Sequence, residues 1–155
     1  MHDRSRIPVR RQGADHPYDA AAGNMPYRVA IRPVGFLVAS EAVDEAAVRR
    51  LAAKIAGEGV WSTPIPVDAD TGIVMDGNHR TRAARQLGLS HVPCVLLSYR
   101  DPRVRVTDWQ TGEPFCIETI FRSVLMQRRT LPYKTTRHVF APALPETEIR
   151  LALLR

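Results

Sequence analysis

Short apolar runs alternate along this chain with stretches in which apolar residues recur at helical spacing. The apolar and β-branched runs predict strands within residues 27–38, 65–68, 73–75, 92–99 and 103–107. Helical spacing predicts three helices: one opens at Asp44, one has His79 and Arg80 in its first turn and closes at Gly88, and one runs from about 113 to 127. The alternation predicts an α+β (mixed α/β) domain with a mixed sheet flanked by helices.

The remaining segments have weaker patterns. Residues 1–26 mix arginine, glycine, proline and alanine without periodicity, which predicts a mobile N-terminal arm; residues 27–155 are expected to form a single domain. Residues 131–138 are expected to be irregular, and residues 139–140 to return to the sheet. The apolar residues 149–154 are expected to dock against the core. Cys94 and Cys116 are both expected to be buried and unreactive.

The chemistry-bearing stretch lies in the middle of the chain, where the apolar run 73–75 stops abruptly at Asp76 and Gly77. Asp-Gly often marks a hairpin, but the helical spacing of the residues that follow excludes one here. The predicted unit is therefore strand, tight turn and helix, with His79 and Arg80 in the first helical turn. The free N–H groups of a helix start suit an anion such as phosphate. Asp76 lies where a metal or a hydroxyl reaches it.

Length and charge narrow the classes of function without deciding among them. A chain of 155 residues makes one domain the default, and its net charge of +6 suits nucleic acid or a phosphorylated small molecule. Nearly all the positive charge is arginine, which binds phosphate and carboxylate with two parallel hydrogen bonds; lysine occurs only at Lys54 and Lys134. No apolar run reaches membrane-spanning length and no secretory leader is evident, so we expect a cytoplasmic protein that does not contact a membrane.

A family resemblance joins these motifs. Glu41 ahead of a helix, Thr-Pro-Ile-Pro-Val at 63–67, Met-Asp-Gly-Asn-His-Arg at 75–80 and Val-Pro at 92–93 together resemble the ParB/sulfiredoxin fold. With the late Lys-Thr-Thr-Arg-His at 134–138, the pattern is most similar to that of the free L-serine kinases. The resemblance covers about Ile31 to Phe140. Asn78 departs from it, because that family often has histidine there.

The resemblance implies a nucleotide-dependent kinase that phosphorylates the hydroxyl of a small free amino acid, expected to be L-serine, to give O-phosphoserine. ATP or ADP would donate the phosphate, with Mg²⁺ bound by Asp76. Glu41 would take the hydroxyl proton, and Arg137 and His138 would also bind the amino acid. The residues implied in phosphate or nucleotide binding are Gly77, Asn78, His79, Arg80, Thr135, Thr136, Arg137 and His138.

Other interpretations remain open beside this one. The rival class is a non-catalytic ParB-like regulatory module that binds nucleotide or DNA, although without a recognition helix we expect DNA binding to be weak or absent. Sulfiredoxin activity is excluded because Asn78 occupies the position of its nucleophilic cysteine. Asp76 alone also suits a turn, and Glu41 alone suits a helix start. Residues 135–138 suit a solvated loop. The oligomeric state is left open.

Overall fold

The computed structural model describes residues 26–155, so the predicted arm at 1–26 lies almost entirely outside the described residues. Seven strands occur in this part of the chain: β1 (Arg28–Pro33), β2 (Val60–Trp61), β3 (Ile65–Asp68), β4 (His91–Leu97), β5 (Val104–Asp108), β6 (Thr136–Phe140) and β7 (Ile149–Arg150). Three α-helices lie among them: α1 (Glu45–Glu58), α2 (Asn78–Gln86) and α3 (Ile117–Phe121).

The main sheet has three strands in the order β1-β4-β3. β4 pairs antiparallel with β1 and parallel with β3, so the predicted mixed sheet is confirmed. Every residue of β4 except His91 is buried, as expected for a central strand. β1 lies at an edge of this sheet and ends at Pro33, a residue that sheets accept at edge strands. Two antiparallel ribbons, β2 with β7 and β5 with β6, complete the strands of the described chain.

Local signals set the ends of α1. The Asp44 side chain accepts a hydrogen bond from the backbone N–H of Ala46 at 3.0 Å and so caps the helix start. Gly59, with φ of 72°, ends the helix in the left-handed conformation that glycine tolerates. The helix buries Val48, Ala52 and Ile55, which lie at helical spacing on one face.

Two apolar clusters form the core. The first packs α1 and α2 against the main sheet and includes Trp61, which is 2% exposed and donates its indole N–H to the Thr63 carbonyl at 2.7 Å. The second lies around Tyr99, Val106 and Ile120, between β5 and α3. Leu151 and Leu154 are buried in the first cluster, so the prediction that residues 149–154 dock is confirmed. No helix among residues 26–155 is both long and apolar enough to cross a bilayer.

Three predictions about the second half of the chain are corrected. The last helix begins at Ile117 instead of about residue 113, because Pro114 is held extended by a bridge to Thr107; beyond Phe121 it continues as a π-helical turn. Residues 136–138 belong to β6, since pairing with β5 outweighs their polar composition. Cys116 is exposed at the start of α3, whereas Cys94 is buried in β4 as predicted.

Candidate active site

The predicted turn and helix lie at the centre of the site, whereas the strand predicted before them at residues 73–75 is reduced to isolated bridges. Residues 73–75 are extended and buried, joined by single bridges to Val38 and Val67. The chain then turns at Gly77, whose φ of 100° favours glycine, and α2 starts at Asn78. By helix geometry the first N–H groups of α2 have no partner within the helix, so they face outward at the turn.

Arg80 holds this turn in place. Its Nη1 donates to the carbonyl oxygens of Thr63 at 3.0 Å and Pro64 at 2.9 Å. Its Nη2 lies 3.7 Å from the Asp76 carboxylate, and the guanidinium packs directly over Gly77. Burial lowers the pKa of Arg80, while the nearby Asp76 charge opposes that shift. Both hydrogen bonds of Arg80 therefore go to protein carbonyls and its side chain is 15% exposed, whereas the Asp76 side chain is 62% exposed.

Asn78 connects the turn to the segment that carries Glu41. The Asn78 Oδ1 accepts the backbone N–H of Ser40 at 2.9 Å and of Glu41 at 3.4 Å. The Asn78 amide donates to the Ser40 hydroxyl, which in turn donates to the Val74 carbonyl at 2.6 Å. Asn78 thus positions the backbone of Glu41, a role that the sequence pattern alone did not indicate.

The Glu41 carboxylate is held by the late polar segment. Its Oε1 accepts the Thr135 N–H at 3.2 Å; its Oε2 accepts the Thr136 N–H at 3.2 Å and the Thr136 hydroxyl at 3.0 Å. A carboxylate has about four lone-pair sites, so these three bonds leave one site on Oε1. The structure therefore brings Glu41, Thr135 and Thr136 together across 95 residues of chain.

The two histidines differ in their surroundings. His79 Nε2 accepts the Asp44 N–H at 3.1 Å, which leaves Nδ1 to carry the ring proton, and the ring packs edge-on against Tyr133 at 5.7 Å. His138 Nε2 lies 3.1 Å from the Tyr99 hydroxyl. Burial lowers the pKa of His138 to about 4, against a weaker opposing effect of Asp76, so this ring is neutral at neutral pH.

These groups line one cleft of about 490 Å³. Of the ten predicted site residues, Thr135 is the one that does not itself line it, although its N–H reaches Glu41. The cleft also has lining residues that the sequence analysis missed, among them Trp109, Tyr133 and Lys134. Trp109 directly follows β5. Its position at the cleft depends on the pairing of β5 with β6, which the sequence pattern did not predict.

Comparison with known proteins identifies the fold. No family model matches the chain. A solved mutant of a free serine kinase in complex with AMP superposes with a TM-score of 0.73 and 12% identity, covering 85% of this chain and 97% of that one. The fold is therefore of the ParB/sulfiredoxin type. Within that type the predicted likeness to free serine kinases is confirmed.

Two curated proteins are also similar in sequence to part of this chain. An ATP-dependent L-serine kinase of Staphylothermus marinus is 35% identical over 77 residues, covering 47% of this chain and 31% of that protein. A ParB-like protein of Sulfolobus acidocaldarius is 37% identical over 46 residues, covering 30% of this chain and 23% of that protein. The matched regions thus span less than a third of the length of these relatives.

Proposed function

We propose that this chain is a kinase that transfers a phosphoryl group from a nucleotide to the hydroxyl of free L-serine. The observation that carries the proposal is the Glu41 carboxylate, fixed by three hydrogen bonds in the same cleft as the start of α2. A fixed carboxylate beside a helix start suits an acceptor hydroxyl facing a nucleotide phosphate. The ATP-dependent L-serine kinases among the relatives support the same activity and favour ATP as the donor.

The phosphate end of the nucleotide would lie at the start of α2. The outward N–H groups there, together with the positive end of the helix dipole, favour an anion. Gly77 adopts the φ of 100° that the turn requires, and its missing side chain leaves room for the Arg80 guanidinium. Arg80 adds positive charge from behind the turn, and His79 has its Nδ1 proton available. Phosphoryl transfer depends mainly on this kind of positioning and charge stabilisation.

The acceptor would lie against Glu41. In this proposal the serine hydroxyl donates to the remaining lone-pair site of Oε1, and its oxygen attacks the terminal phosphorus of the nucleotide. The new oxygen–phosphorus bond forms as the bond to the leaving nucleotide breaks, and the hydroxyl proton passes to Glu41. The three hydrogen bonds already fix the orientation of the carboxylate, so little orientational entropy is lost in the reaction.

Magnesium fits the site as an ion that arrives with the nucleotide. Within residues 26–155 no three metal-ligating side chains cluster, so a site built from protein ligands alone is not present there. Mg²⁺ at nucleotide sites is commonly held by one or two carboxylates with phosphate oxygens and water, and the exposed Asp76 carboxylate suits that chemistry. Asp76 would hold the ion, which would supply charge neutralisation on the phosphates.

Strand β6 supplies the remaining polar groups. Arg137 lines the cleft and is exposed, so its guanidinium is available to phosphate or carboxylate oxygens. His138 is neutral and, with its Nε2 directed to Tyr99, contributes a hydrogen bond instead of a charge. We place the reaction in the cytoplasm, where nucleotide and free amino acids are both present.

Direct assay of phosphate transfer tests the proposal. The protein is incubated with Mg²⁺ and either ATP or ADP, together with L-serine, L-threonine, D-serine or L-alanine, and phosphorylated amino acid is measured. We expect transfer to L-serine, faster with ATP than with ADP, and none to L-alanine, which has no hydroxyl. Absence of transfer to every hydroxyl amino acid, while nucleotide still binds, would favour the regulatory module.

A further inference from the structure

A second cavity, of about 410 Å³, lies beside the segment that carries Glu41, and it shares no lining residue with the cleft. Its apolar lining residues include Val38, Ala39 and Val124. Its polar lining residues are Arg128, Arg129 and Thr130. No acidic side chain of the described residues lines it. A cavity of this volume holds a small molecule, and its charge favours an anion.

The polar groups of this cavity are available to a ligand. None of the ion pairs within 4.0 Å in residues 26–155 includes Arg128 or Arg129, and both residues are exposed. In the same part of the chain, the backbone N–H of Thr130 donates to no other backbone group. A guanidinium binds phosphate through two parallel hydrogen bonds, so two guanidinium groups match a phosphate dianion in charge.

The backbone of this segment has a fixed and uncommon conformation. Arg128 has φ of 52°, in the left-handed region that residues other than glycine rarely adopt. The Arg129 N–H donates to the Ser123 carbonyl at 2.9 Å, and the Ser123 hydroxyl donates to the Arg129 carbonyl at 3.0 Å. These two bonds close residues 123–129 into a loop that carries both arginines. Such enforced conformations concentrate at binding sites.

This loop is joined directly to the backbone of Glu41. The Leu131 N–H donates to the Ser40 carbonyl at 2.8 Å, and the Ala42 N–H donates to the Leu131 carbonyl at 2.8 Å. Glu41 therefore lies between two hydrogen bonds to a single residue of the segment that follows the loop. Whatever orders residues 128–131 also orders the backbone on both sides of Glu41.

We propose that Arg128, Arg129 and Thr130 form a second anion site that binds a small molecule carrying a phosphate dianion. The bound anion would offset the repulsion between the two guanidinium groups and stabilise the loop. Through Leu131 it would also stabilise the backbone beside Glu41. Inorganic phosphate and the phosphate ester of a small metabolite share this chemistry. Binding is independent of the kinase activity, whereas its consequence, a better-positioned base, rests on the proposed function.

NMR titration of the protein tests this site. Inorganic phosphate, O-phospho-L-serine and ADP are added separately at constant ionic strength, with L-serine and chloride as probes that carry no phosphate. We expect at least one phosphate compound to shift the backbone N–H signals of Ala39, Val124 and Thr130 to saturation, and neither L-serine nor chloride to do so. These three residues do not line the cleft, so binding there is recorded separately. The tightest of the three phosphate compounds identifies the source of the anion.

Variants of the two arginines connect the signals to the site. Arg128→Gln and Arg129→Gln should each weaken phosphate binding about tenfold or more, as the loss of a charge-assisted hydrogen bond predicts. The matched control is Arg122→Gln, at an exposed arginine of the preceding turn that does not line the cavity. The control should bind within about twofold of the wild type. All three side chains are exposed, so the variants should keep the fold.

Hydrogen exchange of the Ala42 and Leu131 N–H groups tests the link to Glu41. Opening of this segment would release the anion, so exchange should slow by about tenfold at a probe concentration ten times its Kd. At the same concentration Arg129→Gln should slow by at most about twofold, because its Kd is higher. Unchanged exchange in the phosphate-saturated wild type would overturn the link.

Neither measurement needs turnover, so the outcomes separate this inference from the kinase proposal. Shifts that are weakened in Arg129→Gln and kept in Arg122→Gln support the site, even in a protein that transfers no phosphate. Absence of saturable shifts, or equal binding by all variants, overturns it, even in a protein with full kinase activity. Duplex DNA that shifts the same signals at lower concentration than every small phosphate compound also overturns it, because the occupant is then a nucleic acid.

Discussion

The residues of the predicted phosphate motif have different roles in the cleft, although the sequence places them in one short segment. Asn78 and Arg80 lie two positions apart in the predicted phosphate motif, yet the side chain of Asn78 fixes the backbone of Glu41 and that of Arg80 fixes the turn. Asp76 and the backbone of Gly77 remain exposed to a ligand. Motif residues therefore divide into those that contact ligand and those that hold the contacting residues.

The exposed Asp76 carboxylate leads to a first testable prediction. Asp76→Asn should fold normally, because asparagine also favours this kind of turn. It should lose about tenfold or more of the Mg²⁺-dependent part of nucleotide affinity, since a neutral amide is a poor ligand for a hard cation. Nucleotide titration with Mg²⁺ and with EDTA measures the difference, and Asp70→Asn, an exposed aspartate outside the cleft, is the control. Unchanged Mg²⁺ dependence would reduce Asp76 to its place in the turn.

His138 provides a prediction about pH. Its pKa is about 4 in the fold against an ordinary value of 6.5, so between these pH values the unfolded chain binds more protons than the folded one. The free energy of unfolding should therefore fall as the pH drops from 6.5 towards 4. At pH 5 we expect a loss of about 1 kcal/mol from this residue, allowing for its partial exposure.

Urea unfolding at pH 7.5 and pH 5.0 measures that loss. His138→Gln should show a smaller decrease between the two pH values than the wild type. His91→Gln, in which an exposed histidine of β4 is replaced, should show the full decrease. Identical pH dependence in His138→Gln and the wild type would contradict a neutral His138 imidazole in the fold.

At the scale of elements, the turn before α2 depends on Gly77. A Cβ added there would lie 2.8 Å from the Arg80 Nη2, and the φ of 100° is unfavourable for any other residue. Gly77→Ala should therefore destabilise the protein by about 1–3 kcal/mol and displace Arg80 from its two carbonyl partners. Gly57, inside α1, has open space around it and no positive φ.

Gly57→Ala should accordingly stabilise the protein by about 0.5–1 kcal/mol, because alanine is favoured in a helix. Thermal melts of both variants beside the wild type provide the measurement. The opposite signs distinguish a special backbone position from a general effect of adding a methyl group. A neutral Gly77→Ala substitution would show that the turn tolerates an ordinary residue.

Sequence patterns predicted those elements whose signals are local. The Asp44 cap and the glycine at the end of α1 specify that helix within its own residues, and the buried strands β3 and β4 are nearly continuous apolar runs. β6 was not predicted at residues 136–138 because its stability comes from pairing with β5, about 30 residues earlier. The late start of α3 has the same cause, a long-range bridge at Pro114.

For the whole molecule, the candidate site was predictable only in part. The turn at Gly77 and the acid at Glu41 follow from short motifs and the family resemblance. Trp109 carries no motif of its own, Lys134 belongs to the late motif but was given no role, and Tyr99 was assigned only to a strand. Their positions depend on the pairing of β5 with β6, which is a long-range contact. A single sequence therefore contains no local signal for them.

The positive charge of the whole molecule leads to a prediction about DNA. We expect weak, sequence-independent binding that declines steeply with salt, because basic side chains without a recognition helix contact phosphate but not base edges. Fluorescence anisotropy with one duplex and its scrambled counterpart, at low and at physiological salt, measures this. Tight binding to one duplex at physiological salt would instead favour the regulatory module.

The central claim is that Glu41 accepts the proton of the attacking hydroxyl. Glu41→Gln keeps the size of the side chain and removes the basic carboxylate, and general-base contributions are typically about 10²–10⁴-fold. Because the base acts in the transition state, the variant should lose phosphate transfer by about that factor while binding nucleotide as the wild type does. Glu113→Gln, at an exposed glutamate outside the cleft, should leave both quantities unchanged.

The decisive measurement is single-turnover transfer from ATP to L-serine by wild type and Glu41→Gln, with nucleotide affinity titrated on the same preparations. The titration shows whether the cleft is still formed in the variant. We predict normal nucleotide affinity and transfer reduced by about 10²-fold or more in Glu41→Gln. Transfer at the wild-type rate by Glu41→Gln would contradict the assignment of Glu41 as the base.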